Sequence, residues 1–276
     1  MKKLLALLLA ALMLLACTAC GDTTAVKVID IDLSEELYAF GVDKDQPELL
    51  AKANELIKEI KENGKFDEIC NKYFGDGTPT PVTSAALDES KDQLVVVTNA
   101  EFAPFEYKQG DQYLGIDMEI ADLLAKKLDK ELVILNVAFE AVCLNVGQKK
   151  ADIAMAGLTI SEDRTKHVTF TDSYYTASQR LIVKGDDTTF DECKTLEDVE
   201  KILNGFGADV KVGVQNGTTG ESYCAGSEDM GFAGLKVTAK GYANGALATQ
   251  DMINGNLDYV IIDAAPAATI AASFNK

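Results

Sequence analysis

The chain has 276 residues, room for about two domains with a core in each. Its 47% hydrophobic and 25% charged content, with 21 Gly and 5 Pro, excludes collagen, coiled coil and disorder. A net charge of -18 argues against nucleic-acid binding, and His167, the single histidine, rules out a His-rich zinc site; no metal or cofactor is expected.

Lys2 and Lys3 precede an apolar run from Leu4 to Leu15 that is too short to span a bilayer, so residues 1–20 read as a secretory signal. The small residues before Cys17 and Cys20 resemble a bacterial lipoprotein cleavage site, at which the cysteine after the cut carries a lipid. Leu14-Leu15-Ala16-Cys17 has the better upstream residue and Cys20-Gly21 the more familiar downstream one. A plain cleaved signal peptide is the alternative. Either way the mature chain is expected outside the cytoplasm, and on the lipoprotein reading it is lipid-anchored on the extracellular face of a bacterial membrane. Cys70, Cys143, Cys193 and Cys224 show no metal or redox spacing; free thiols are expected, with a Cys193–Cys224 bridge as the alternative.

From Leu94 onward, β-branched runs alternate with helical patterns, which predicts an α/β fold with parallel sheets. The predicted strands are Leu94 to Thr98, Leu132 to Leu135, Asp152 to Ala156, Val210 to Val214 and Leu257 to Ile262. Ile116, Ile120, Leu123, Leu124 and Leu128 share one face of a helix after Gly115, and Thr195 with Asp198 forms a capping box for another. Lys150-Ala151-Asp152 before one apolar run echoes Asn256-Leu257-Asp258 before another, a weak sign of two similar halves.

In open parallel sheets, ligands bind beyond the carboxyl ends of the strands. There stand Asn99, Glu101 and Phe102, then Ala156, Gly157 and Thr159, then Gln215, Thr218 and Thr219, and finally Asp263. Only two of the 26 basic residues are arginine, Arg164 and Arg180. Arg164 follows a strand-end loop and is a candidate bidentate carboxylate anchor; a surface pair with Glu162 or Asp163 is the alternative. The turn Asn216-Gly217-Thr218-Thr219-Gly220 offers backbone N–H groups but is neither a dinucleotide nor a Walker loop. Asp263 supplies the opposite charge or caps the following helix. Phe102 and Phe139 are candidate apolar walls or core residues. Together these groups fit a zwitterion.

The stretches LVVVTNAEFAPFEY (94–107), YLGIDMEIADLLAKKL (113–128), KKADIAMAGLTISEDR (149–164), VTFTDSYY (168–175), VGVQNGTTGESY (212–223) and LDYVIIDAAP (257–266) resemble polar amino-acid-binding proteins of ABC importers, the extracellular solute-binding protein family 3. The resemblance implies a two-lobe, type II periplasmic-binding-protein fold joined by two crossing strands. By position, Arg164 would grip a ligand carboxylate with N–H groups near Thr159 and Thr219. Asp263 and the Gly157 carbonyl would take its ammonium, with Phe102 and Phe139 beside its side chain. It also implies capture of a free polar or basic L-amino acid by a monomer, and delivery to an ABC permease and its ATPase. No chemical step is implied. The alternatives are a cyclohexadienyl-dehydratase-like enzyme on the same fold and a ligand-sensing receptor subunit.

In the family, a strand, a crossing and a terminal helix follow the helix corresponding to 267–274. Here the matching pieces stand at the other end, VKVIDIDLSEELYAFGV (26–42) and PELLAKANELIKEIKENGKFDEICNKYFG (47–75), so the sequence looks circularly permuted. The expected first lobe is then 35–75 plus 91–177, and the second 178–276 plus 25–34. Residues 76–90 would link the family's original termini, and hinge strands are expected near Tyr174 to Ser178 and Ser34 to Tyr38.

Overall fold

The computed structural model describes residues 24–276; the expected signal segment, with Cys17 and Cys20, lies outside the described residues. Three short strands open the described chain: β1 (Val26–Val28), β2 (Glu36–Tyr38) and β3 (Gly41–Val42). Helices α1 (Pro47–Glu62) and α2 (Lys65–Phe74) follow, joined by Gly64, whose φ of 78° makes the tight left-handed turn between them. Next come β4 (Gln93–Thr98), a small meander of β5 (Glu101–Phe102), β6 (Glu106–Gln109) and β7 (Gln112–Leu114), then α3 (Ile116–Lys127) and β8 (Glu131–Asn136).

A 3₁₀ turn at Phe139–Ala141 leads into α4 (Val142–Gly147), β9 (Ile153–Ala154), α5 (Glu162–Thr165) and β10 (Thr169–Phe170). The remainder is β11 (Tyr175–Ala177), β12 (Gln179–Lys184), α6 (Leu196–Phe206), β13 (Lys211–Gln215), α7 (Thr219–Ala225), β14 (Thr238–Tyr242), α8 (Gly245–Ile253), β15 (Tyr259–Asp263) and α9 (Ala264–Phe274).

These elements build two five-stranded sheets, ordered β10-β3-β9-β4-β8 and β1-β12-β15-β13-β14. A separate two-stranded ribbon, β11 with β2, runs between them. The expectation of parallel sheets holds only in part. Strands β4, β8 and β9 are parallel, as are β13, β14 and β15, but β3, β10, β1 and β12 pair antiparallel. The physical reason is the ribbon: β3 and β12 each enter a sheet directly from a crossing strand instead of returning through a helix.

The weak echo between the halves is a real structural correspondence. Asp152 accepts the Val95 N–H at 2.8 Å and donates its own N–H to the Val95 carbonyl at 2.8 Å. Asp258 does the same with Lys211, at 2.8 and 3.0 Å. Each aspartate thus locks the start of one parallel strand to its neighbour. The capping box is present as read, with Thr195 and Asp198 exchanging hydrogen bonds at the start of α6.

The opening strands and helices are integral to the core. Tyr38 and Phe40 are fully buried, and Phe40 stacks on Tyr174 with ring centroids 4.4 Å apart. On α1, Leu49, Ala53, Leu56, Ile57 and Ile60 recur at helical spacing and bury one face in the same cluster as Leu94, Ile120 and Leu124. Residues 76–90, expected as a linker, are irregular but pinned. Val82 exchanges backbone hydrogen bonds with Tyr113 at 2.8 and 2.9 Å, the Ala85 N–H reaches the Leu132 carbonyl at 2.8 Å, and the Ser84 hydroxyl takes the Ile134 N–H at 2.8 Å. The absence of apolar periodicity, read as a linker, does not exclude a segment laid along the sheet edge. All four described cysteines are free thiols, so Cys193 and Cys224 are not bridged. No helix among the described residues is long and apolar enough to cross a membrane.

Candidate functional site

The carboxyl ends of β4 and β9 face those of β13 and β15, and the expected ligand groups meet along that seam. Gln215 Nε2 donates to Asn99 Oδ1 at 3.0 Å, and Thr219 Oγ1 lies 3.0 Å from Thr159 Oγ1. Asn244 Nδ2 donates to Glu101 Oε2 at 2.6 Å. Each bond joins a group on the β4–β9 side to one on the β13–β15 side. Thr218, at the N-cap position of α7, turns its hydroxyl to the Gln215 carbonyl at 2.7 Å and so tightens the strand-to-helix turn. Gln215 Oε1 is buried and has no partner.

Arg164 sits on the short helix α5, whose N-cap Ser161 accepts the Arg164 N–H. Its guanidinium lies 5.3 Å from the Phe139 ring centroid, a cation–π contact that holds the side chain against the seam. Nη1 donates to the Thr159 carbonyl at 2.6 Å and Nη2 to the Gly217 carbonyl, across the seam, at 3.1 Å. The ion pair with Glu162 or Asp163 does not form: Asp163 pairs with Lys166, and the other arginine, Arg180, holds Asp30 and Asp32 at the surface. The guanidinium therefore opens into a cavity of about 320 Å³ shared by Phe139, Gly217 and His167. Beside it, Asp229 accepts the N–H groups of Glu162 and Asp163 at 2.7 and 3.2 Å, tying the 226–235 loop to the helix that carries Arg164.

Asp263 ends β15 at the N-cap position of α9, yet its side chain does not cap the helix. It accepts the Tyr38 hydroxyl instead. Three further carboxylates, which the sequence reading did not single out, lie in the same interior. Glu36 on β2 accepts Ser34 Oγ at 2.6 Å, Gln179 Nε2 at 2.9 Å and Thr159 Oγ1 at 2.7 Å. Asp117 accepts the Gly157 N–H at 2.9 Å and the Tyr174 hydroxyl at 2.6 Å. Glu106 is 0% exposed and neither oxygen has a partner. Among the described residues none of these four carboxylates is in an ion pair. Taking charge out of water without a counter-charge is costly, so Asp117, Asp263 and Glu106 resist ionising. Burial pushes Asp117 up to about 7; burial and the neighbouring Glu36 push Asp263 up to about 7; burial, with Asp117 and Asp263 nearby, holds Glu106 well above the carboxylate range.

The twelve expected ligand residues are therefore not gathered round one cavity. Thr159 connects them: its carbonyl takes Arg164 and its hydroxyl takes Glu36, which lies beside Asp263. Arg164 and Asp263 stand at the two ends of this chain of contacts and face different cavities, with Asp263 opening on a hollow lined by Tyr38, Phe105 and Tyr175. Glu101 is exposed and borders a third cavity with Phe102. Ala156 is fully buried among Val97, Val142 and Leu158, so its side chain belongs to the core. Gly157 has φ 53°, and a Cβ there would lie 3.0 Å from Phe102 and 3.3 Å from Tyr38; only glycine fits this crossing. Glu36 and Tyr38 escaped the sequence reading because they stand on a crossing strand, not after a parallel one. Among the described residues no group of three or more His, Cys, Asp or Glu is placed to hold a metal.

The raised acids fix the direction of a pH response. Asp117 and Asp263 hold protons in the folded state up to about 7, whereas the unfolded chain loses them near 3.8. Their contribution is complete below pH 4 and is lost as pH rises through 7. Thermal unfolding should show a melting temperature that falls between pH 5 and pH 8, and Asp117→Asn should flatten that fall; an unchanged slope in the variant would contradict the assignment.

The model of the bacterial extracellular solute-binding proteins, family 3, matches residues 94–262. An arginine-binding extracellular protein of Bacillus subtilis is 35% identical over 104 residues, 38% of this chain and 41% of that protein. An arginine-binding periplasmic protein of Mannheimia haemolytica is 28% identical over 180 residues, 65% of this chain and 66% of that one. The match thus spans less than two thirds of each relative's length. Among solved structures, an ancestral amino acid-binding protein, a precursor of cyclohexadienyl dehydratase, superposes with a TM-score of 0.56 at 34% identity, covering 66% of this chain and 74% of its own. With its two mixed sheets bridged by a crossing ribbon and a matched stretch running from β4 to β15, the chain belongs to the bacterial extracellular solute-binding proteins of family 3 and has their type II periplasmic-binding-protein fold.

Proposed function

We propose that this protein captures a free, positively charged L-amino acid between two lobes and delivers it to an ABC permease and its ATPase. One observation carries the reading: a guanidinium without a carboxylate partner is linked through Thr159 to an interior in which the buried carboxylates Asp263 and Glu106 lack a cation. A ligand with a carboxylate at one end and ammonium or guanidinium at the other satisfies both. The names of the two curated relatives, both arginine-binding, agree with this chemistry. Arg164 takes the ligand carboxylate, and Asp263 with the Gly157 carbonyl takes the amine. Asn99, Gln215, Thr159, Thr218 and Thr219 line the seam, Phe102 and Phe139 wall it, and Glu101 at its exposed edge selects the side chain.

Bound ligand bridges the lobes, so its binding free energy shifts the balance between open and closed arrangements. In this reading the lobes are 35–75 with 91–177, and 178–276 with 25–34. The relatives' order is circularly permuted here, with 76–90 joining what are their termini. The proximity of the two described ends supports it: the Asn275 side chain accepts the N–H groups of Ala25 and Val26 at 2.8 and 3.1 Å and donates to the Val26 carbonyl at 2.8 Å. A direct join there would need little chain. The protein is placed by this proposal on the extracellular face of the cytoplasmic membrane, held through a lipid on Cys17 or Cys20.

A ligand at 100 times its Kd adds about 2.7 kcal/mol of stability, so arginine, lysine or histidine should raise the melting temperature in a screen of the common amino acids. Arg164→Ala should weaken every responding ligand by roughly 100-fold, the loss of a charged hydrogen-bonding partner, while Glu101→Ala should change only the ranking. No response to any amino acid in the wild type would reject the function. A reordered chain, 91–276 followed directly by 24–75, should fold and keep the ligand response; an unfolded product would reject the permutation. Labelled palmitate should enter the full chain and be lost in either Cys17→Ser or Cys20→Ser, and incorporation unaffected by both would reject the anchor.

A further inference from the structure

The helix that carries Arg164 is held from both sides of the seam. A helix this short cannot satisfy its own first backbone N–H groups, because an α-helical donor needs an acceptor four residues earlier. In α5 the Arg164 N–H reaches Ser161 Oγ at 3.3 Å and the Thr165 N–H reaches the Ser161 carbonyl at 3.1 Å, so both depend on the residue just before the helix. The N–H groups of Glu162 and Asp163 go elsewhere: both donate to Asp229, one to each carboxylate oxygen. Helix α5 lies between β9 and β10 of one sheet, whereas Asp229 lies between α7 and β14, a strand of the other.

Asp229 is presented by a well-braced hairpin. Ser227 and Phe232 exchange backbone hydrogen bonds at 2.9 and 2.8 Å, the Leu235 N–H donates to the Cys224 carbonyl at 2.9 Å, and the Phe232 ring meets Tyr223 edge-on with centroids 5.3 Å apart. Gly231, at φ 71°, makes the turn. The Asp229 carboxylate stands beside Glu162 and Asp163, a grouping of like charges that repels unless something offsets it. Two charge-assisted hydrogen bonds supply the offset. The same side of the seam also holds the far end of Arg164, whose Nη2 donates to the Gly217 carbonyl. Loops of one sheet thus grip both the backbone ahead of Arg164 and its guanidinium.

We propose that Asp229 is a positioning residue for the amino-acid site: it completes the cap of α5 from the opposite lobe, and so fixes Arg164 only when the lobes meet. The inference rests on the function proposed above, in which ligand bridges the lobes. Asp229 acts through the backbone of α5 and not on the ligand. With the lobes apart, the Glu162 and Asp163 N–H groups turn to water and α5 keeps only the Ser161 half of its cap. Arg164 receives the carboxylate that every amino acid carries, so loss of Asp229 weakens all ligands alike, in contrast to loss of Glu101. Contacts completed on closure hold the closed arrangement together, which places the effect in dissociation more than in encounter.

Amide hydrogen exchange on the full chain, followed by NMR, reads the cap without any ligand. Glu162 and Asp163 should exchange roughly tenfold faster in Asp229→Ala than in the wild type, the loss of a charged acceptor, while Leu203 in the core of α6 should not change. Saturating arginine should slow the same two amides in the wild type and not in the variant. In stopped-flow binding, Asp229→Ala should release arginine, lysine and histidine roughly tenfold faster with unchanged association. Asp229→Asn, which keeps a carbonyl acceptor, should recover part of the loss, and Glu228→Ala on the same hairpin should bind as the wild type does. Equal exchange of the two amides in wild type and Asp229→Ala, or equal release rates, overturns the proposal. Should the alanine variant fail to fold, wild-type amides that do not slow with arginine overturn it equally. Exchange that depends on Asp229 in a protein that binds no amino acid rejects the transport reading and leaves the cap between the lobes in place. Ligand binding with exchange blind to Asp229 rejects the cap and leaves the transport reading intact.

Discussion

The hydroxyl of Tyr38 on the carboxylate of Asp263 ties the crossing strand β2 to the end of β15, and the centre of the molecule depends on that tie. Tyr38 is also bridged through its backbone to Thr159, whose carbonyl receives Arg164 and whose hydroxyl reaches Glu36. A strand from one end of the chain therefore touches both ends of the candidate site. Moving β2 would disturb the acceptor of Arg164 and the donor to Asp263 together.

The buried acids set the chemistry of that centre. Glu36 and Asp117 each have their oxygens occupied by hydroxyl, amide or backbone donors, which makes a buried carboxylate tolerable without a cation. Glu106 has no such partner, and Asp263 has the tyrosine hydroxyl and the neighbouring Gln179. The unmet demand for positive charge is thus concentrated at Asp263 and Glu106, not spread over all four groups. By contrast the guanidinium of Arg164 is held by carbonyl oxygens and an aromatic face, partners that orient it without neutralising its charge. An arginine fixed in this way remains able to receive a carboxylate.

Local signals in the sequence were reliable wherever the interaction they describe is local. The capping box at Thr195 and Asp198 closes within four residues, and the apolar face of α3 follows helical spacing. The paired aspartates Asp152 and Asp258 were visible as an echo, although their shared task of locking adjacent strands needed coordinates. Strand direction was less legible, because β3 and β12 have the same β-branched composition whether their neighbours run parallel or antiparallel. The residues 76–90 illustrate the opposite case: their Pro-rich, non-periodic sequence denied them regular structure, while their backbone hydrogen bonds to Tyr113 and Leu132 come from strands and loops far away.

By itself the sequence determined the α/β class, the family and the polar residues that follow the strands, since each is encoded in short runs whose periodicity and end residues obey local sterics and hydrogen bonding. Tertiary structure alone decided which of those residues meet. Arg164 and Asp263 face separate cavities, Ala156 turns into the core, and Glu36, Tyr38 and Glu106 enter the centre from segments that no local pattern connects to it. Burial and partnership depend on what the rest of the chain brings to a point in space, and neither an acid's proton nor an arginine's acceptor is written in its neighbours along the sequence.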